Sequence, residues 1–226
     1  MQQQSNTSRA AGFSLIELLL AMAITLVVMV IASTMVAGSL NIRARENQRS
    51  DALADTQRAL NFMTRDIANA GFGLRNNGIV AADSTQTAIR VRANLNAFSG
   101  QTTSDVVTDP DEDLEYTLIS DGTNSYLVRL DVNTSNQTTI LANRIDNFRI
   151  RYYANKVTYT PVPSTCDIDT GGVAEVTSKS DAHYVVLVLC VTLPARGVPG
   201  GSGYMPPSKV QLVSDVTLRN SDLAAY

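Results

Sequence analysis

Histidine is nearly absent from this chain: His183 is the only one in 226 residues. That excludes a multi-histidine metal centre built from one chain. Two cysteines, Cys166 and Cys190, exclude a disulfide-dense scaffold and a cysteine-only four-ligand zinc site. There is no tryptophan. An excess of basic charge is also missing, with Lys plus Arg at 18, Asp plus Glu at 21 and a formal net charge of −3. A nucleic-acid binder would carry a basic footprint, so none is predicted. No G-x-S-x-G elbow surrounds a serine. Residues 197–203 (GVPGGSG) lack the Lys-Ser/Thr ending of a phosphate loop and read, with the nearby prolines, as an irregular loop. His183 abuts a strand start and reads as structural or exposed. No catalytic constellation is visible, and the chain is expected not to be an enzyme. At 44% hydrophobic residues it is expected to fold, as one domain with or without an appendage.

Charge is absent altogether from residues 18–37, which read LLLAMAITLVVMVIASTMVA. Twenty helical residues at about 1.5 Å each cover the roughly 30 Å hydrocarbon core of a bilayer. A buried soluble helix would keep a polar stripe, whereas this run holds only Thr25, Ser33 and Thr34. A secretory signal would be shorter, with a more basic start and a small-x-small cleavage site. Here Arg9 is the only basic side chain before the run, and Met35 precedes Val36-Ala37. A membrane helix is the better reading. The polar residues before it, 1–12, show no apolar periodicity.

One feature of that helix is costly. Glu17 sits near its start, in Gly12-Phe13-Ser14-Leu15-Ile16-Glu17, with no Lys or Arg within one or two turns. A carboxylate in an apolar medium needs a partner. A cut between Gly12 and Phe13 would create an α-amino group on Phe13, a cation with a pKa of about 7.7–8. On a neighbouring subunit that amine can pair with Glu17, which makes assembly conditional on proteolysis. The bland alternative is a snorkelling carboxylate without a partner. These residues resemble the prepilin-type N-terminus of type IV pilins and type II secretion pseudopilins. The resemblance implies that a prepilin peptidase cuts after Gly12 and methylates Phe13, and that Glu17 recruits the subunit to a filament. It also places the leader in the cytoplasm, the helix in the bacterial inner membrane and the body in the periplasm, later on a pilus at the cell surface. The positive-inside rule disagrees, since Arg43, Arg45 and Arg49 follow the span.

Residues 41–70 contain neither proline nor glycine. Leu53, Leu60 and Ile67 recur every seven, with Thr56, Met63 and Ala70 three further on, so the helix is predicted to continue with one apolar face. Arg45, Glu46, Arg49, Asp51, Asp55, Arg58, Arg65 and Asp66 occupy much of the remainder. Gly71-Phe72-Gly73 and Asn76-Asn77-Gly78 are the stop signal, and Gly38-Ser39 the expected weak point. Strands are predicted at 87–92, 114–119, 125–130, 145–153, 184–193 and 210–218. The second and third read as a hairpin across Ser120-Asp121-Gly122-Thr123-Asn124, and 184–193 (YVVLVLCVTL) as a central strand covered on both faces. The expectation is an α+β fold: a long N-terminal helix, transmembrane in its first half, packed on one antiparallel sheet.

Residues 65–73, 116–153 and 216–220 resemble PilW-like minor pilins, while 154–180 match them poorly. The implied organisation is a cleaved leader at 1–12, a membrane and filament-core helix at 13–40, an amphipathic continuation at 41–71 and a β-rich head at 72–226. The implied role is a minor pilin that primes or caps a type IV pilus, with adhesion or motility as associated functions. Its partners would be the prepilin peptidase, other minor and major pilins and the inner-membrane assembly machinery. A J-type pseudopilin of type II secretion and a membrane-anchored binding module are the alternatives. Many type IV pilins carry a disulfide near the C-terminus, so Cys166 and Cys190 form a candidate bridge; two unlinked cysteines remain the alternative. Asp109, Asp111 and Asp113 match the first positions of an EF-hand-type calcium loop. Leu114 stands where that loop needs glycine and Ser120 where it needs glutamate, so a solvated acidic loop competes with calcium binding.

Overall fold

The computed structural model describes residues 13–97, 107–122, 124–134, 137–143, 145–201 and 203–220. Among these residues one α-helix, α1 (Leu15–Ala68), precedes nine strands: β1 (Ala88–Arg92), β2 (Asp113–Ser120), β3 (Ser125–Asp131), β4 (Gln137–Asn143), β5 (Asn147–Tyr153), β6 (Thr160–Val162), β7 (Asp167–Asp169), β8 (Tyr184–Leu193) and β9 (Ser208–Thr217). The chain divides into two compact units. One comprises the residues up to Ala44 with Arg196–Met205, the other Arg45–Ala195 with the residues from Pro206 onward.

In the first unit, α1 is exposed almost throughout, and its most apolar stretch averages a hydropathy of 2.8 with none of it buried. Gly38 and Ser39 lie inside the helix, so the expected weak point is not a break. The 196–205 loop is closed by Arg196 and Met205, which exchange backbone hydrogen bonds of 2.9 Å. Gly203 lets this loop approach α1. Its φ is +76°, and a Cβ there would fall 2.7 Å from the Cα of Gly38, so neither conformation nor space admits a side chain.

In the second unit the predicted stripe faces the core: Thr56, Leu60, Met63, Ile67 and Ala70 are buried and Leu53 half-buried, with Ala59 enclosed beside them. The helix ends at Ala68, two residues before the predicted Ala70, and Asn220 Nδ2 donates to the carbonyls of Asn69 and Ala70 just beyond it. Behind that end, Gly71 N–H donates to Arg92 O and Arg92 N–H to Gly78 O, tying the post-helix turn to β1. A Cβ on Gly78 would come 2.1 Å from Gly71 N, so only glycine permits this crossing.

Two main sheets replace the single one expected. Strands β1-β2-β3-β4 form one and β5-β8-β9 the other, both antiparallel, with β6-β7 as a small separate hairpin. Between the sheets, Ile150 N donates to Gln86 O and Tyr152 OH to Thr85 O, each at 2.9 Å. The predicted hairpin is β2–β3, with Ser120 opposite Ser125. Strand β8 is central and buried on both faces, as its composition implied. Val185, Leu187, Leu189, Val191 and Leu193 belong to the core that includes the α1 stripe. On the other face, Tyr184 and Val186 meet Tyr153 and Val157, while Val188 and Cys190 meet Cys166. The segment between β5 and β8 is therefore the lid on the outer face of β8.

Arg45 departs from its predicted place on the polar side of the helix. It is buried, at 4% exposure, and has no carboxylate partner among the described residues. Its guanidinium donates instead to Pro194 O, to Pro206 O at 3.0 Å and to Ser208 Oγ at 2.7 Å. These acceptors lie at the end of β8 and the start of β9, so three hydrogen bonds offset the desolvation of one charge.

Candidate functional site

The N-terminal motif is built by helix capping. Ser14 immediately precedes α1, and its Oγ accepts a hydrogen bond from Ile16 N–H at 3.3 Å. Glu17 reaches back, and its Oε2 accepts from Ser14 N–H at 3.2 Å. This is a reciprocal capping box, S-x-x-E, which satisfies donors that a helix start leaves orphaned. The carboxylate also faces the positive end of the helix dipole. The pattern was legible as Ser14-Leu15-Ile16-Glu17 and supplies a role that the sequence reading missed. Glu17 has a hydrogen-bond partner within its own chain, although it has no cationic partner among the described residues. Phe13 is 87% exposed, and the apolar side chains that follow it are exposed too. Gly12, the other half of the predicted cleavage site, lies outside the described residues.

The cysteine alternatives resolve in favour of the bridge. Cys166 and Cys190 are disulfide-bonded, with Cα atoms 6.0 Å apart. The bridge joins the segment before β7 to β8. Beside it, Arg151 on β5 binds both Asp167, with Nε at 3.0 Å from Oδ1, and Glu175, with Nη1 at 2.5 Å from Oε1. One disulfide and one arginine fork thus pin the lid over β8.

The three aspartates do not converge on one point. Asp113 is buried, and its oxygens accept from Arg90 Nε at 2.7 Å and Arg92 Nε at 2.8 Å. Asp111 pairs with Arg129 Nη2 at 2.6 Å, and Asp109 accepts from Asn96 Nδ2. Glu112, between them, accepts from the backbone N–H groups of Leu95 and Asp109. No group of three or more potential ligands could hold a metal ion among the described residues. Among the described residues the 1-3-5 spacing is used for arginine pairing and turn capping. Burial opposes the charge on Asp113, yet the hydrogen bonds from Arg90 and then Arg92 outweigh it and hold its carboxyl below the usual range. Asp66, expected on the outer face of α1, accepts from Tyr116 OH at 2.5 Å and Arg129 Nε at 3.1 Å. Burial, then the Asp66 charge, raises the Tyr116 hydroxyl far above its ordinary value, so it stays a donor. His183 serves the fold through its backbone, donating to Tyr153 O and accepting from Leu218 N–H.

Comparison with known proteins bears on the N-terminal end. Residues 7–38 match the family described as the prokaryotic N-terminal methylation motif. The matched segment covers the start of the long exposed helix, so the methylation motif and the apolar run occur in register. No curated protein matches the chain. Among solved structures it is similar to a type IV-like pilin from Thermus thermophilus, at 10% identity and a TM-score of 0.41, over 74% of this chain and 97% of that one.

Proposed function

We propose that this chain is a minor pilin of a type IV pilus, made as a precursor and activated by prepilin peptidase. Cleavage between Gly12 and Phe13, followed by methylation, leaves a cationic amine on Phe13. In the membrane the apolar half of α1 anchors the subunit. On assembly, Glu17 exchanges the Ser14 N–H of its own capping box for the Phe13 amine of a neighbour, replacing a neutral donor with a cationic one and so forming an ion pair. The head then faces outward to other pilins, and priming or capping the filament is its task. The observation that carries this reading is the methylation motif over residues 7–38, in register with a helix whose apolar stretch is wholly exposed. The Cys166–Cys190 bridge supports a head in an oxidising compartment such as the periplasm.

Intact-mass and N-terminal measurement of the chain from membrane and sheared-filament fractions tests the proposal. A start at N-methylated Phe13, found in the filament fraction, is the expected result. A chain that keeps residues 1–12 in cells with an active peptidase sinks it and leaves a membrane-anchored binding module. Processed chain confined to the cell envelope, in cells that assemble pili, points instead to a secretion pseudopilin.

A further inference from the structure

On one side of α1, Arg58 and Arg65 both lie over the ring of Phe62, with guanidinium carbons 5.9 and 5.5 Å from its centroid. The four- and three-residue spacings place them on one helix face. Both arginines are exposed and the ring is half-buried. Among the described residues Arg58 forms no ion pair, and Arg65 has one 3.4 Å contact with Asp66, a carboxylate already held by Tyr116 and Arg129. Stacking on an aromatic orients a guanidinium without neutralising it, so its hydrogen-bond donors stay available. The three side chains edge a cleft of about 500 Å³ between this helix face and the β1–β4 sheet. Leu95 and Ile140, 51% and 57% exposed, add apolar surface to the wall, while Asp111 and Glu112 lie within the same lining.

We propose that this cleft docks an acidic polypeptide segment of a partner protein. One carboxylate side chain of the partner bridges Arg58 and Arg65, and an adjacent apolar side chain seats against Phe62. Charge complementarity selects this class of ligand. Two unneutralised guanidinium forks side by side suit a carboxylate. The lining sets the two guanidinium groups beside the apolar surfaces of Phe62, Leu95 and Ile140, which a segment with adjacent acidic and apolar side chains matches and a uniformly charged polyanion does not. A cleft of this size takes a few side chains and lies in the range of specific ligand sites. The site does not depend on removal of residues 1–12.

A photo-reactive benzoylphenylalanine in place of the exposed Asn61, in the full-length chain in its native membranes, tests this. After irradiation, mass spectrometry should find an adduct to a polypeptide with Asp or Glu within about three residues of the attachment point. Arg58→Glu combined with Arg65→Glu should lower its yield about tenfold or more, because like charges then face each other. Phe62→Ala should also lower it, and Arg49→Glu, elsewhere on the helix, should not. Thermal melts of each variant establish that the fold is intact. The proposal is overturned by the absence of any intermolecular adduct, by an adduct that survives the double charge reversal, by one lacking acidic residues, or by adducts to lipid or nucleic acid. Intact mass on the same sample reports the N-terminus, so failure of docking and failure of processing are read separately.

Discussion

Asp113 joins two arginines of β1 to the first residue of β2, and its role sets a pH limit. Its carboxyl is held below the usual range, as is that of Asp167, where burial is outweighed by the hydrogen bond from Arg151. A depressed native pKa contributes stability that is present above the unfolded value of about 3.9 and is lost as pH falls through the folded value. The melting temperature should therefore fall steeply below about pH 4, and Asp113→Asn should flatten that limb. At neutral pH, Asp113→Ala leaves two arginines facing one another and should cost about 3 kcal/mol in denaturant titration. Arg45 makes a parallel case without any carboxylate. Arg45→Met removes the donors to Pro194 O and Pro206 O and should cost about 1–3 kcal/mol by the same assay, since part-buried hydrogen bonds to a charged group are lost.

At the scale of elements, β8 depends on its lid. Eight of its side chains in a row are buried, and Val157, Tyr159, Cys166 and Ile168 of the 154–180 segment cover Val186 and Val188 from outside, together with Val213 of β9. The disulfide closes a loop of about 25 residues, worth roughly 3–3.5 kcal/mol in the chain-entropy account. Reduction, or Cys166→Ser with Cys190→Ser, should lower the melting temperature. Hydrogen exchange should quicken first in residues 154–180, while the β1–β4 sheet keeps its protection. Uniform acceleration across the head would mean that the lid is not a separate layer. Strand β4 escaped the sequence reading for a related reason. QTTILAN is polar at one end, lies on a sheet edge and shifts register opposite Leu127 and Val128, so it lacks a clean period of two.

For the whole molecule, the capping box at Glu17 gives the proposed assembly step a measurable signature. Glu17→Ala removes both the cap and the assembly carboxylate, whereas Ser14→Ala weakens only the cap, by about 1 kcal/mol. The first variant should insert in the membrane and be processed, yet be absent from sheared filaments. The second should assemble nearly as well as wild type. Equal loss in both variants would make the carboxylate a capping group and nothing more.

The sequence by itself determined the features that rest on local pattern. An uncharged run of membrane length, the register of Gly12, Phe13 and Glu17, the heptad stripe ending at Ile67 and the doubly apolar β8 follow from spacing along one chain. Tertiary structure decided whatever depends on distant partners. The division into two sheets is made between strands far apart in sequence, and no single strand's periodicity reports which neighbour it takes. The aspartates from 109 to 113 have the spacing of a cation loop, but Arg90 and Arg92 take Asp113, Arg129 takes Asp111 and Asn96 takes Asp109. Arg45 reads as a surface charge until the chain returns at Pro194 and Pro206 to enclose it. A charged side chain's role depends on which opposite charge or carbonyl folding brings within about 3 Å of it, a distance that sequence separation does not encode.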